Sequence, residues 1–194
     1  FFELNEQPKS VAIIGAGYIA VELAGIFKSL GSKVKLFCRG ETLLRSFDMM
    51  IQKGVEVELL RNISDGGSVE VLKLTEVQEL KEDPETKKRT IFYSQQQEED
   101  ISSSNLSIEG FDCVIWAIGR DGRGEFCPSM DGKKCVVEID ERGFVQVDSS
   151  HCTELPDVYA LGDVTGRHML TPVAIAAGRA LSDRLFGGFS DSKF

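Results

Sequence analysis

The sequence predicts an α/β protein in which a parallel sheet with covering helices adjoins an antiparallel β-meander. Three observations predict it. Two short aliphatic runs bracket a stretch with helical spacing. A turn nearly devoid of side chains joins the first run to that stretch. Further along, two segments alternate polar and apolar residues as half-buried strands do.

Val11–Ile14 is a short β-branched run without alternation, which suits a strand buried on both faces. Tyr18–Leu30 sets Ala20, Leu23, Ala24, Phe27 and Leu30 at helical spacing, and Gly31 stands where a helix C-cap belongs. "SKVKLFC" (Ser32–Cys38) reads as a second strand, completing a βαβ unit of about 30 residues. Met49–Ser64 reads as a helix despite Gly54, closed by "DGG". Val69–Leu80 and Arg89–Ser94 alternate like antiparallel strands. The Ser/Gln-rich "SQQQEEDISSSNLS" (94–107) reads as an exposed, disorder-prone loop. Phe111–Gly119 is expected to be a buried strand. Cys135–Asp148 is expected to be a hairpin, with Gly143 at a positive-φ position. Asp157–Asp163 reads as a last strand and Thr171–Phe186 as a helix with Pro172 in its first turn. No internal repeat is present. "RDGRGEF" (Arg120–Phe126) reads as a linker, dividing the chain into domains 1–122 and 123–194.

Gly15-Ala16-Gly17-Tyr18-Ile19-Ala20 is a G-x-G-x-x-A motif between strand and helix. In that context the first glycine makes the turn and the second lets a diphosphate approach the backbone. The small third residue brings helix and strand together. Free N–H groups and the helix dipole then hold the anion, which makes the first domain a Rossmann-like dinucleotide-binding domain. The alternative is a merely tight βα turn. An NAD site offers Asp or Glu at the end of the second strand. Here "LFCRGETLLRSFD" offers Arg39 and, six residues later, Arg45. Their forked donors match the oxygens of a ribose 2′-phosphate, so NADP(H) is expected over NAD(H). The alternative is two solvated surface arginines.

The chain of 194 residues carries 22 Lys+Arg against 31 Asp+Glu, a net charge of -9. That balance disfavours nucleic acid as a partner. No apolar stretch approaches the ~20 residues of a membrane span, and "FFELNEQPKS" does not read as a signal peptide. The five cysteines (Cys38, Cys113, Cys127, Cys135, Cys152) are odd in number and form no close pair. Reduced thiols in a cytoplasmic setting are therefore expected. No metal-ligand spacing is present.

Three stretches carry a family resemblance: "VAIIGAGYIAVELAGIFKSLGSKVKLFCRGETLLRSFD", "VIWAIGR" and "VYALGDVTGRHMLTPVAIAAGRALSDRLF". They resemble signature stretches of the FAD-dependent pyridine nucleotide–disulfide oxidoreductases. "RSFD" and "LTPVAIAAGR" point to the members that reduce glutathione disulfide, ahead of those acting on thioredoxin or trypanothione. The resemblance implies that Gly15, Gly17, Tyr18, Ile19 and Ala20 hold the NADPH diphosphate end, and Arg39 and Arg45 its 2′-phosphate. It implies that Ile118, Gly119 and Arg120 lie along the same coenzyme. Tyr18 is implied as a lid between nicotinamide and flavin, or otherwise as a half-exposed aromatic at a helix start. Glu22 is implied as a flavin-side support, or otherwise as a polar helix residue. Asp163 is implied to accept from the ribityl chain of FAD, and Leu170, Thr171 and Pro172 to open a helix towards the flavin.

The family's C-x4-C redox pair and its His-Glu pair are not among these residues. His151 and His168 read as surface or packing residues, and no nucleophile is assigned. The chain is thus expected to be the middle of a homodimeric enzyme: an NADPH-binding domain plus the C-terminal half of an FAD-binding domain. By itself it is expected to be inactive. A non-catalytic NADPH-binding module is the alternative from another class.

Overall fold

The computed structural model describes residues 3–61, 66–97, 100–123 and 137–189. It divides into two compact units, Phe1–Gly119 and Arg120–Phe194.

In the first unit the strands β1 (Ser10–Ile14), β2 (Lys33–Phe37), β3 (Ser68–Leu72) and β7 (Cys113–Trp116) form one parallel sheet in the order β3-β2-β1-β7. The helices α1 (Tyr18–Ser29) and α2 (Met49–Leu60) accompany it. Three strands, β4 (Thr75–Glu82), β5 (Arg89–Gln97) and β6 (Asp100–Phe111), make a separate antiparallel meander. The missing alternation of β1 now has its cause. Val11 and Ile13 pack with Ala20, Ala24 and Phe27 of α1 and with Leu59 of α2. Ala12 and Ile14 pack with Phe37, Ile91, Tyr93 and Phe111 on the opposite face. Val11, Ala12, Ile13 and Ile14 are all buried, and burying a large aliphatic or aromatic side chain is worth ~1.5–3 kcal/mol each. Phe37 meets Tyr93 edge-on at 5.3 Å.

Helix α1 ends as its sequence suggests. Gly31 takes φ +93°, its N–H donates to Lys28 O at 2.9 Å, and Ser32 N–H donates to Phe27 O at 2.9 Å. That is a Schellman closure. Buried Lys28 then donates its ammonium to Glu58 O (2.8 Å) and Leu59 O (2.9 Å), satisfying the end of α2.

Four expectations change. Val69–Leu80 is not one antiparallel segment. It breaks at Leu74 (φ +54°), leaving β3 in the parallel sheet and only β4 in the meander. Alternation is the same in both settings, so periodicity could not separate them. Residues 94–97 and 100–107 do not form a loop. β5 and β6 run through them with Tyr93 opposite Leu106, Ser94 opposite Asn105 and Gln95 opposite Ser104. Backbone pairing holds a polar ribbon there. Phe111–Gly119 is not one strand: Phe111 ends β6, and β7 takes only Cys113–Trp116. Asp157–Asp163 is not a strand. Asp157 (φ +60°) and Gly162 (φ +72°) interrupt the extended run, leaving a bridge between Cys152 and Tyr159 and a 3-10 turn at Gly162–Thr165.

In the second unit Ile139 and Val145 pair across a turn with Gly143 at φ +79°. Residues 135–136 of the expected hairpin, and both Cys127 and Cys135, lie outside the described residues. The last helix, α3, spans Thr171–Phe186 as expected. No helix among the described residues is long and apolar enough to cross a membrane.

Candidate functional site

Three positive-φ residues of the first unit, Gly15, Leu44 and Gly119, follow the carboxyl ends of β1, β2 and β7. That is where ligands bind in parallel sheets. Gly15 N–H donates to Phe37 O at 3.0 Å, and Ala117 N–H donates to Ile14 O at 2.8 Å. Gly15 sits at φ +135°, and a Cβ there would stand 2.2 Å from Ala117 O. No side chain fits. Gly17 differs. It precedes α1 with no side-chain cap, and a Cβ on it would meet nothing within 4 Å. The first α1 hydrogen bond runs from Val21 N–H to Gly17 O at 3.1 Å. The N–H groups of Tyr18, Ile19 and Ala20 precede it and have no intrahelical acceptor. Ala20 itself is fully buried against the core. An open surface with free donors and positive dipole is a fit for a diphosphate.

The segment after β2 supplies charge. Arg39 and Arg45 are exposed, and neither pairs with a carboxylate among the described residues. Between them Leu43 and Leu44 are buried. Leu44 adopts φ +53°, and its N–H donates to Ala16 O, at the centre of the glycine turn, at 2.8 Å. Phe47 N–H donates back to Leu44 O at 2.8 Å, and Asp48 caps α2 by accepting from Met50 N–H at 2.8 Å. On the other flank, Thr75 N–H donates to Cys38 O at 3.0 Å and Leu74 N–H to Gly40 O at 3.2 Å. The two arginines thus project from a fastened loop. No carboxylate stands at the end of β2, where Cys38 and Arg39 follow Phe37.

Tyr18 and Glu22 are exposed one turn apart on α1. Ile118 is exposed and Gly119 takes φ +107°, both just after β7. The turn, the arginine loop and these two residues belong to one unit. Arg120 begins the other. The second unit brings Asp163 and the start of α3 together through the 3-10 turn. The Asp163 carboxylate has no partner among the described residues, and α3 starts at Leu170 without a side-chain cap, Pro172 in its first turn. Ala174 N–H donates to Leu170 O at 3.0 Å, so the N–H of Thr171 precedes the helix's own acceptors. His168 is exposed, while both ring nitrogens of His151 are buried without a partner.

Burial pushes the thiols of Cys38 and Cys113 up, so both stay protonated at neutral pH. No group of His, Cys, Asp and Glu among the described residues could hold a metal ion. Sequence reasoning passed over Leu44, whose backbone conformation no motif announces, and Ala117, whose backbone carbonyl stands against Gly15.

Comparison with known proteins now bears on this geometry. Residues 1–178 match the family model of the pyridine nucleotide-disulphide oxidoreductases. Glutathione reductase of Yarrowia lipolytica is 38% identical over 187 residues, covering 96% of this chain and 36% of its own length. Glutathione reductase of Debaryomyces hansenii is 41% identical over 192 residues, covering 97% of this chain and 35% of its own. The chain therefore spans little over a third of these relatives. Among solved structures, the Cu(II) complex of the HOCl-induced flavoprotein disulfide reductase RclA from Escherichia coli superposes with a TM-score of 0.72 at 25% identity. That match covers 98% of this chain and 38% of RclA.

Proposed function

The chain belongs to the pyridine nucleotide-disulphide oxidoreductases, and from that premise we propose that it is the NADPH-binding part, with a segment of the FAD-binding domain, of a glutathione-disulfide reductase. The overall reaction consumes one NADPH and one proton and converts glutathione disulfide to two glutathione thiols. When bound, the two coenzymes would supply the hydride and the redox chemistry that connects it to a disulfide.

On this reading each of this chain's own residues has a role. Gly17 and the N–H groups of Tyr18, Ile19 and Ala20 bind the diphosphate. Gly15 lets β1 pass into α1 against Ala117 O with no side chain intervening. Arg39 and Arg45 bind the 2′-phosphate through charge-assisted hydrogen bonds, each worth ~1.5–3 kcal/mol net. Ile118, Gly119 and Arg120 line the same coenzyme. Tyr18 covers the nicotinamide side and Glu22 supports the flavin side. Asp163 orients FAD by accepting from its ribityl chain. Leu170, Thr171 and Pro172 present helix N–H groups where negative charge gathers on a reduced flavin. The whole enzyme is a homodimer working in a reducing compartment, cytoplasmic or organellar. Its partners are small disulfides, with no role for nucleic acid or membrane.

One observation carries the coenzyme assignment: two exposed guanidiniums without ion-pair partners among the described residues, beyond a strand that ends in no carboxylate. Titration calorimetry is the test. NADPH is expected to bind at least ~10-fold more tightly than NADH, about 1.4 kcal/mol. Replacing Arg39 and Arg45 together by alanine abolishes the difference and spares NADH. Equal affinities in the unaltered chain overturn the proposal. The other class is a non-catalytic NADPH module. It predicts a longer reading frame without a C-x4-C pair upstream.

A further inference from the structure

We propose that Leu44 is a positioning residue that sets coenzyme selectivity by fastening the arginine loop to the glycine turn. The proposal rests on the NADPH assignment above. It concerns a residue that touches no coenzyme.

Leu44 combines three features. Its backbone lies in the left-handed region at φ +53°, where a branched side chain has no preference to be. Its side chain is buried in the main core beside Leu43, among residues of α1, β1 and β2. Its N–H donates to Ala16 O at 2.8 Å, and Ala16 lies between the two glycines of the turn. The buried side chain is what keeps the unfavourable backbone in place. Strained conformations persist only where surrounding structure holds them, and they gather at ligand clamps.

The consequence falls on the next residue. Arg45 leaves an anchored left-handed corner, and Phe47 N–H closes the following turn on Leu44 O. Two points that must grip one ligand at a fixed separation are thereby tied through a single residue, Leu44: Ala16 in the diphosphate turn and Arg45 at the ribose end. Pre-set geometry of this kind gains affinity by removing the cost of ordering a loop on binding. NADH lacks the 2′-phosphate and gains nothing from it. Leu44 therefore acts on selectivity rather than on dinucleotide binding in general.

The test uses Leu44→Ala, which loses the anchor but keeps the strained side chain-bearing backbone, and Leu44→Met, which keeps an apolar anchor of similar volume. Calorimetry with NADPH and NADH is combined with thermal melting and circular dichroism. Leu44→Ala is expected to bind NADPH at least ~10-fold more weakly and NADH within ~2-fold of the unaltered chain. Leu44→Met restores most of the preference. In an Arg45→Ala background, Leu44→Ala produces no further loss, because there is no guanidinium left to position. Equal weakening of both coenzymes, or full additivity with Arg45→Ala, overturns the inference and makes Leu44 a packing residue only. An unchanged preference in Leu44→Ala overturns it as well, leaving the NADPH assignment intact. If the unaltered chain shows no preference, the assignment itself fails, and this inference with it.

Discussion

Helices α1 and α3 belong to different units and are covered to very different extents. α1 buries four of its twelve residues, while α3 buries one of its sixteen. Ala20, Ala24 and Phe27 of α1 face a sheet within their own unit. Ile175, Leu185 and Phe186 of α3 are all exposed, the last at 85%. Among the described residues, the second unit's apolar cluster is Val137, Val145 and Val147 with Leu155, Val158 and Ala160 around them, and α3 supplies none of these. The difference teaches that the first unit carries its own packing partners, whereas α3 is apolar beyond what its described surroundings use. Most helical stability comes from packing an apolar face. An uncovered helix start such as Leu170–Pro172 is therefore less firmly held than the glycine turn.

Hydrogen exchange offers the largest contrast by which that comparison can be broken. Amides of β1 and β2 are expected to exchange at least ~10³-fold more slowly than those in the middle of α3. Mass spectrometry of peptic fragments measures this directly. Equal protection in the two elements would show that α3 is packed as well as the parallel sheet.

The next contrast lies within the first unit, between its two motif glycines. Gly15→Ala places a Cβ 2.2 Å from Ala117 O at φ +135°. Strain and overpacking together are expected to cost about 3 kcal/mol, roughly 10 °C in melting temperature. Gly17→Ala meets no protein atom, so its melting temperature is expected within ~2 °C of the unaltered chain. Both coenzymes should nevertheless bind it at least ~10-fold more weakly, because both share the diphosphate. A stability loss in Gly17→Ala, or undiminished binding, would remove the separation between a folding glycine and a ligand glycine.

That separation also marks how far the sequence was legible. Gly15, Gly17 and Ala20 were readable because a small-residue turn between an apolar run and a helical pattern has few other uses. Arg39 and Arg45 were legible only as exposed charges after β2, where no acid stands at the strand end. Leu44 was not, since a left-handed backbone at a leucine leaves no trace in residue type. β3 was misread because its Val69 and Val71 alternate as a meander strand would, and only the turn at Leu74 separates parallel from antiparallel. The β5–β6 ribbon was missed for the opposite reason. Its Ser and Gln residues advertise a loop, while what holds them is backbone pairing. Asp157–Asp163 failed through two left-handed positions, one at a non-glycine.

The smallest expected effect compares one carboxylate in each unit. Asp112, between β6 and β7, accepts from Lys9 and Ser10 N–H at 2.9 Å each and pairs with Lys88. The Lys88 hydrogen bond, followed by those from the backbone, holds its carboxyl below the usual range against some desolvation. Asp148 in the second unit is held down by the N–H groups of Cys152 and Ser150, with no covering structure. A lowered folded pKa stabilises above the unfolded value of ~3.9 and ceases to as pH falls through the folded one. Asp112→Ala should therefore cost about 1 kcal/mol at pH 7, after allowance for solvent screening. Most of that gap should close on acidification below pH ~3, where the unaltered carboxyl has also lost its charge. Asp148→Ala should shift the chain's denaturation midpoint less, because its loop ties together little that is buried. Denaturant titrations of both variants at the two pH values measure the gaps. A gap at Asp112 that persists in acid would mean that the side chain's packing, rather than its charge, joins β1 to β7.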